Sequence, residues 1–366
     1  MNFSPTYTIS NLILDYIVKI ELSFEKISHT PLPGSHQSDL YMRNKAEDIH
    51  SLSQLIGNEI GYDFAMRVQK GQEVSGSNSK TTIFNNYRST QDFVKSYERK
   101  HFLPPSAQLI NHLNTLLMQG IVDDWELGKF RKFSEKPNEI YDTWYKYREN
   151  HPNVTPDAYL EEIMQWFVKP EVKIHKLIQI PIILFEFIDK APLAAGNQIT
   201  AITATSVLLK DQNYNPGNLL PTAKTISFLG SDLTEAFKLS RANSDKTIFI
   251  EAFLYSLSLE VLNLANEYSA IFDKKVVKKA ELSLEFNDRQ LKLLDYIKVH
   301  KKVTRREYAK LMGISFMTAY RDIQELLEKN YLTQKGVGRG TYYVQSQNHD
   351  TESALPVFGN SDEVDT

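Results

Sequence analysis

Apolar and polar positions along the first hundred residues read mostly as helices with polar interruptions. Two of the interruptions, Pro31–Ser38 (PLPGSHQS) and Ser75–Lys80 (SGSNSK), carry the residue types of loops. Between Trp125 and Tyr147, aromatic and charged residues crowd around a turn at Lys136-Pro137-Asn138, which suits a flap or short hairpin. Phe185–Leu209 (FEFIDKAPLAAGNQITAITATSVLL) is an apolar helical run, a loop built on Ala191-Pro192 and Gly196-Asn197, and a second helical run. Phe185–Phe187 and the apolar positions of Ile199–Leu209 are therefore candidate core. Asn213–Gly217 (NYNPG) is a turn signal, and Lys274–Lys279 (KKVVKK) reads as a link to a C-terminal module.

Beyond that link the pattern changes to three short helices and a hairpin. Asp288–Lys298 places Leu291, Leu294 and Ile297 on one face. Thr304-Arg305-Arg306-Glu307 is a capping box: the threonine hydroxyl accepts from the N–H at Glu307, and the carboxylate reaches back. Met312-Gly313-Ile314-Ser315 supplies a tight turn, with glycine where a left-handed backbone carries little penalty. Ser315 caps a further helix, Phe316–Lys329, whose Ala319, Ile323, Leu326 and Leu327 face the preceding two. Tyr331–Val344 (YLTQKGVGRGTYYV) is two strand-like runs around a glycine-rich basic turn. This order is that of a winged helix-turn-helix.

In such a module the second helix of the turn enters the major groove with its N-terminal residues on base edges. Phe316, Met317, Thr318 and Arg321 are the outward positions, with Ser315 at the helix start. Arg321 is the candidate for a bidentate base contact and Thr318 for a methyl or phosphate contact. Lys335 and Arg339 lie in the wing, suited to phosphates or the minor groove. Winged helices also serve as protein-interaction modules, with their basic residues merely solvated, and the sequence leaves both readings open.

Charge favours the first. Residues 285–345 hold twelve Lys/Arg against seven Asp/Glu, a balance of +5, whereas 346–366 hold five acids and no Lys/Arg. With a net charge of −3 for the whole chain, one small segment is basic within an acidic protein, the footprint of a polyanion partner. The acidic tail, with little to bury, is expected to be disordered. Hydrophobic residues at 42% and charged residues at 24% over 366 positions suit two domains with a real core. There is no cysteine, which excludes disulfides, thiol nucleophiles and zinc–cysteine sites and fits a reducing cytoplasm. The N-terminus lacks a basic n-region, no run of 18 uncharged apolar residues occurs, and the expected location is cytoplasmic. The nine histidines show no H-x-x-x-H or HExxH spacing, and no Walker-type glycine loop or G-x-S-x-G elbow is present. His175 has a helix-surface role on this reading.

The Phe185–Leu209 frame resembles the signature of Fic proteins, H-P-F-x-[D/E]-G-N-G-R between two helices. Aligning the Gly-Asn pair leaves Pro192, Gly196 and Asn197 matching. The family's catalytic histidine falls on Ala191, its metal-binding carboxylate on Ala195 and its phosphate-binding arginine on Ile199. Its phenylalanine is Leu193 and its second glycine Gln198. The flanks extend the resemblance over about residues 40–270. Leu103–Gly120 looks like the helix well upstream of the motif, and Gly128-Lys129-Phe130-Arg131 like the G-x-[FY]-R segment. Pro156–Val168 resembles the helix after the flap, and Asp245–Leu254 the aspartate-plus-aromatic helix near the end of the core. Ser53–Asn58 is similar to the inhibitory helix S-x-I-E-G-N, with Ile56 where the family has its glutamate; an amphipathic helix capped at Gly57-Asn58 would read the same way.

The resemblance implies a mainly α protein: an N-terminal helical lobe over 1–100, a Fic-like all-helical core with a small flap over 101–275, the winged helix-turn-helix over 285–345 and the tail. Intact family members transfer AMP from ATP and magnesium to protein hydroxyls. The histidine is the base, the carboxylate holds the metal and the arginine clamps the phosphates. Here all three are replaced, so the expected function is a catalytically degenerate, DNA-binding regulator, with the core as scaffold or ligand sensor. The alternative is an active protein AMP-transferase, with ATP and magnesium as its cofactors. Gly196 and Asn197 are the candidate anion- or nucleotide-binding residues, since backbone N–H groups at a helix start attract anions. Expected partners are duplex DNA through 285–345, a nucleotide or small ligand in the core, and a second copy of the chain.

Overall fold

The computed structural model describes residues 3–30, 32, 34–72, 79–99, 104–131, 147, 151–227, 231–336 and 340–346. The predicted flap around Lys136-Pro137-Asn138, the wing residue Arg339 and the tail from Gln347 onward lie outside them. The chain forms two compact units, residues 1–29 with 37–266 and residues 30–36 with 267–366.

The first unit is helical. It contains α1 (Asn11–Ser28), α2 (Gly34–Leu55), α3 (Tyr62–Gln69), α4 (Ser79–Ser96), α5 (Ala107–Met118), α6 (Pro156–Val168), α7 (Lys176–Lys190), α8 (Asn197–Asp211), α9 (Thr222–Ser227), α10 (Ser231–Asn243) and the start of α11 (Thr247–Glu285). Helix α8 is its centre. Twelve of its fifteen residues are buried, among them Ile199, Thr203, Val207 and Leu208, which is why the Ile199–Leu209 run lacks a polar face. Its hydroxyls are accommodated by bonding back along the helix, Thr203 Oγ1 to Ile199 O at 2.9 Å and Thr205 Oγ1 to Ala201 O at 2.8 Å. Helices α4, α5, α7 and α9 pack around it.

One local expectation is corrected, and two further features appear. Pro31–Ser38 is not all loop, because α2 begins at Gly34. Its first turn is exposed, where glycine and serine do little harm, and the helix is anchored further on by the buried Leu40 and Tyr41. Pro181 lies inside α7 without ending it: Ile180 and Ile182 beside it are buried, and packing of the flanking turns outweighs the lost hydrogen bond. Lys274–Lys279 is helical, the later part of the 39-residue α11. No glycine or proline interrupts Thr247–Glu285, so nothing in the backbone chemistry stops propagation. Residues 247–272 of this helix are apolar and long enough to cross a membrane, but 61% of that window is buried within the fold, as expected of a core helix.

The second unit holds α12 (Asp288–His300), α13 (Arg305–Met312), α14 (Phe316–Glu328) and the antiparallel strands β1 (Leu332–Lys335) and β2 (Tyr342–Gln345), with Lys335 opposite Tyr342. It has its own core: Phe286, Leu293, Leu294, Ile297, Val303, Tyr308, Ala319, Ile323, Leu326, Leu332 and Tyr343. Leu293 rather than Leu291 is fully buried on α12, and Leu291 and Leu327 are only partly covered. Both predicted caps are present. Thr304 and Glu307 form the capping box of α13, and Ser315 Oγ accepts from Thr318 N at the start of α14.

Candidate functional site

The loop between α7 and α8 keeps its frame through the main chain. Helix α7 ends on Ala191, which takes a left-handed conformation (φ 43°, ψ 62°) with its N–H on Phe187 O at 2.9 Å. Residues 129–131 run antiparallel to the loop: Arg131 N donates to Pro192 O at 3.0 Å, Ala194 N to Lys129 O at 2.9 Å, and Phe130 bridges Leu193. Asn197, buried, folds back on the loop. Its Oδ1 accepts from Leu193 N at 2.9 Å and its Nδ2 donates to Leu193 O at 3.0 Å. Its side chain thus ties the turn together.

Asn114 on α5 does the same from outside. Its Nδ2 donates to Ala195 O and to Thr200 Oγ1, both at 3.0 Å, while its Oδ1 accepts from Gly128 N at 3.1 Å. No local signal in the sequence marks Asn114, because its partners are 14 and 81 or more positions away. Gly196, the N-cap of α8, lies against α5 so closely that a Cβ there would sit 2.5 Å from Met118 Sδ. Gln198 Nε2 reaches Leu55 O at 3.2 Å, so the end of α2, with the Ser53–Asn58 segment, touches the start of α8. There Gly57 N donates to Gln54 O and Asn58 N to Ser53 O, a glycine-terminated helix end.

The chemistry at this frame is sparse. Ala191, Ala195 and Ile199 are methyl and butyl groups, and Ala191 and Ile199 are buried. The Ala195 carbonyl is occupied by Asn114. Arg131 is buried beside the loop, with Nη1 3.4 Å from Ala191 O. The acids near the end of α7 are paired within the fold: Glu186 with Tyr159 OH and, at 2.9 Å, Lys246 Nζ; Asp189 with Lys190 and Arg241. Among the described residues no group of three His, Asp or Glu could hold a metal ion. This donor set does not fit a magnesium–nucleotide complex held by carboxylate and arginine. His175 caps α7, its Nδ1 accepting from Leu177 N at 3.3 Å, in keeping with a helix-surface role. A cleft of about 690 Å³ lined by Tyr97, Arg99, Lys210, Asp211 and Asn213 shares no residue with the loop.

In the second unit, α14 is held by Asp322. This buried carboxylate accepts from Tyr308 OH at 3.0 Å and from Arg289 Nε at 3.1 Å, joining α13 and α12 to it. Burial, and then the hydrogen bond to Asp322, pushes the Tyr308 hydroxyl above the ordinary tyrosine range. Val303 and Tyr343 exchange both backbone hydrogen bonds, at 2.9 and 2.8 Å, adding a third strand segment to the wing.

The opposite face of α14 is open. Phe316 is 56% exposed, Met317 62% and Tyr320 38%, and Arg321 is exposed beside them. The Arg305 guanidinium lies 4.6 Å from the Tyr320 ring centre, a pairing that no sequence motif marks. Thr318 is half-buried and shares a 2.9 Å hydrogen bond with Ser315 Oγ, so both hydroxyls serve the cap. Lys335 is exposed at the end of β1, whereas Arg339 lies outside the described residues.

A family model, the DeoR-like helix-turn-helix domain, matches residues 289–343. No curated protein matches the sequence. Three solved structures share the fold of the chain. A Fic family protein from Desulfovibrio desulfuricans superposes with a TM-score of 0.59 at 16% identity, covering 94% of this chain and 99% of its own. A Fic domain containing signaling protein from Bacteroides thetaiotaomicron gives 0.52 at 14%, covering 70% and 96%. Fic-1 from C. elegans (residues 134–508) gives 0.53 at 11%, covering 72% and 73%. The chain therefore has a Fic fold followed by a C-terminal helix-turn-helix domain.

Proposed function

We propose that this chain is a DNA-binding regulator whose Fic-fold core has lost transferase chemistry and acts as a scaffold or as a sensor for a nucleotide or other small ligand. The observation that carries the reading is the helix-turn-helix itself. Its second helix leaves Met317 and Arg321 open on the face such helices turn to the major groove, and a basic wing residue, Lys335, follows. The +5 balance of residues 285–345 supplies the phosphate attraction.

Loss of transferase activity follows from the side chains at three positions. Ala191 cannot take a proton from a hydroxyl, and loss of a general base typically costs ~10²–10⁴-fold in rate. Ala195 offers no carboxylate to a metal and Ile199 no charge to phosphates, which removes electrostatic stabilisation as well. Ile56 stands where an inhibitory glutamate would be, so blocker and target are both apolar. A sensor role for the core rests on the start of α8, a helix N-terminus capped by Gly196, whose dipole attracts anions.

The full chain should select specific duplexes from a randomised library, and added ATP should change that binding if the core is a sensor. Labelled ATP with magnesium should leave no stoichiometric label on the chain or on added proteins. Failure to retain any duplex at low salt would overturn the DNA-binding reading. Stoichiometric labelling would restore the AMP-transferase alternative.

A further inference from the structure

We infer that α14 reads thymine, through the 5-methyl groups that T·A pairs present in the major groove; the inference rests on the DNA-binding reading above. Helix α14 opens on two large apolar side chains, Phe316 and Met317, that are 56% and 62% exposed and take no part in the core formed by Ala319, Ile323 and Leu326. Tyr320, one turn on, widens the patch. Nothing in the folding of the unit requires apolar residues at these positions, because Ser315 alone caps the helix and the buried face is complete without them.

Their surroundings say what covers them. Arg321 is exposed on the same face of α14, Arg305 stacks on Tyr320, and Lys335 follows in the wing. An apolar patch set among cations complements a surface that is apolar at its floor and anionic at its rims. The major groove answers that description where its floor carries methyl groups. Of the four bases only thymine has one there, and aliphatic and aromatic side chains are its natural contacts. Met317, on the outward face one turn before Arg321, is placed for a methyl next to a guanine that Arg321 would bind in bidentate fashion. The site is thus expected to hold thymine beside guanine in each half or single site.

The test uses the full chain and duplexes selected from a randomised library, with each thymine replaced in turn by uracil, which differs only in the missing methyl. At one or two positions the replacement should weaken binding about four-fold, the equivalent of one buried methyl group. In the Phe316→Ala/Met317→Ala variant thymine and uracil should bind alike, while the salt dependence of binding stays that of the native protein. The uracil comparison leaves the protein untouched, so a folding defect cannot imitate it. Native protein indifferent to every replacement would overturn the inference and leave the DNA-binding reading standing. So would an undiminished uracil effect in the double variant. If no duplex is selected and the exposed patch instead retains a protein surface, the DNA-binding reading falls and the inference with it.

Discussion

Lys45 looks like a surface charge in the sequence and is one of the most buried groups in the molecule. Its ammonium lies inside the first unit, donating to Leu220 O at 2.8 Å, Asn218 Oδ1 at 3.3 Å and Gln91 Oε1 at 3.4 Å, with Asp48 Oδ2 at 3.6 Å. Asp48 accepts from Tyr87 OH at 2.9 Å and from Ala223 N at 2.6 Å, capping α9. Burial pushes the lysine pKa down and the aspartate pKa up, and each charge partly restores the other. The pair fixes α2 against the turn after α8, and α2 in turn meets the motif loop through Leu55. Removing one partner strands the other in a medium of low polarity. Lys45→Met should therefore lower stability by about 3–5 kcal/mol in urea unfolding. A loss within about 1 kcal/mol of zero would contradict this account of the pair. The i,i+3 spacing of Lys45 and Asp48 is local, but burial of the pair could not be read from it, because the groups that enclose the ammonium, Gln91, Asn218 and Leu220, lie far along the chain.

At the scale of elements, the motif loop is held by contacts from two neighbouring segments. Helix α5 supplies Asn114 and Met118, and residues 128–131 pair with 192–194. Gly128 makes that pairing possible. It has φ +62°, and a Cβ there would lie 2.4 Å from Thr115 Oγ1 and 3.0 Å from the Asn111 carbonyl. Gly128→Ala should thus lower stability by about 1–3 kcal/mol, the range for a residue forced into that backbone region. Thermal unfolding measures it, and a variant as stable as the native chain would contradict the close approach to α5. The G-x-[FY]-R spacing was legible in sequence, as were the capping box of α13 and the Ser315 cap of α14. Helical Gly34–Ser38 and the passage of α7 through Pro181 were not, since in both places packing of distant residues overrides local preference.

At the scale of the whole molecule, the chain divides into two units, and the second has a core of its own. The second unit gathers residues from Phe286 to Tyr343 in its own apolar cluster. Binding of the full chain to DNA should weaken as salt rises, because phosphate contacts release counterions. Arg321→Ala should reduce discrimination among sequences by about 1–3 kcal/mol, the worth of a bidentate base contact. Lys335→Ala with Arg339→Ala should instead weaken all duplexes alike and flatten the salt slope. Fluorescence anisotropy over a salt series separates the two outcomes. A uniform effect of Arg321→Ala would place that residue on the backbone rather than on a base.

What the sequence determined by itself was whatever is written locally. Helical periodicity, capping residues, the Gly313 turn and the alternation of the wing together specify a helix-turn-helix, and the residue types at 191, 195 and 199 are plain from the sequence. Only the tertiary structure decided how the loop holds its shape. Asn197 closes it on Leu193, Asn114 clasps it from α5, and Ala191 accepts a left-handed backbone that helix termination at Lys190 imposes. It also decided that Thr318 serves the cap while Phe316, Met317 and Tyr320 stay open to solvent. The physical reason is range. A cap or a helical stripe is an interaction over three or four residues, whereas Asn114 and Ala195 are joined across 81, and that encounter exists only once the core has closed.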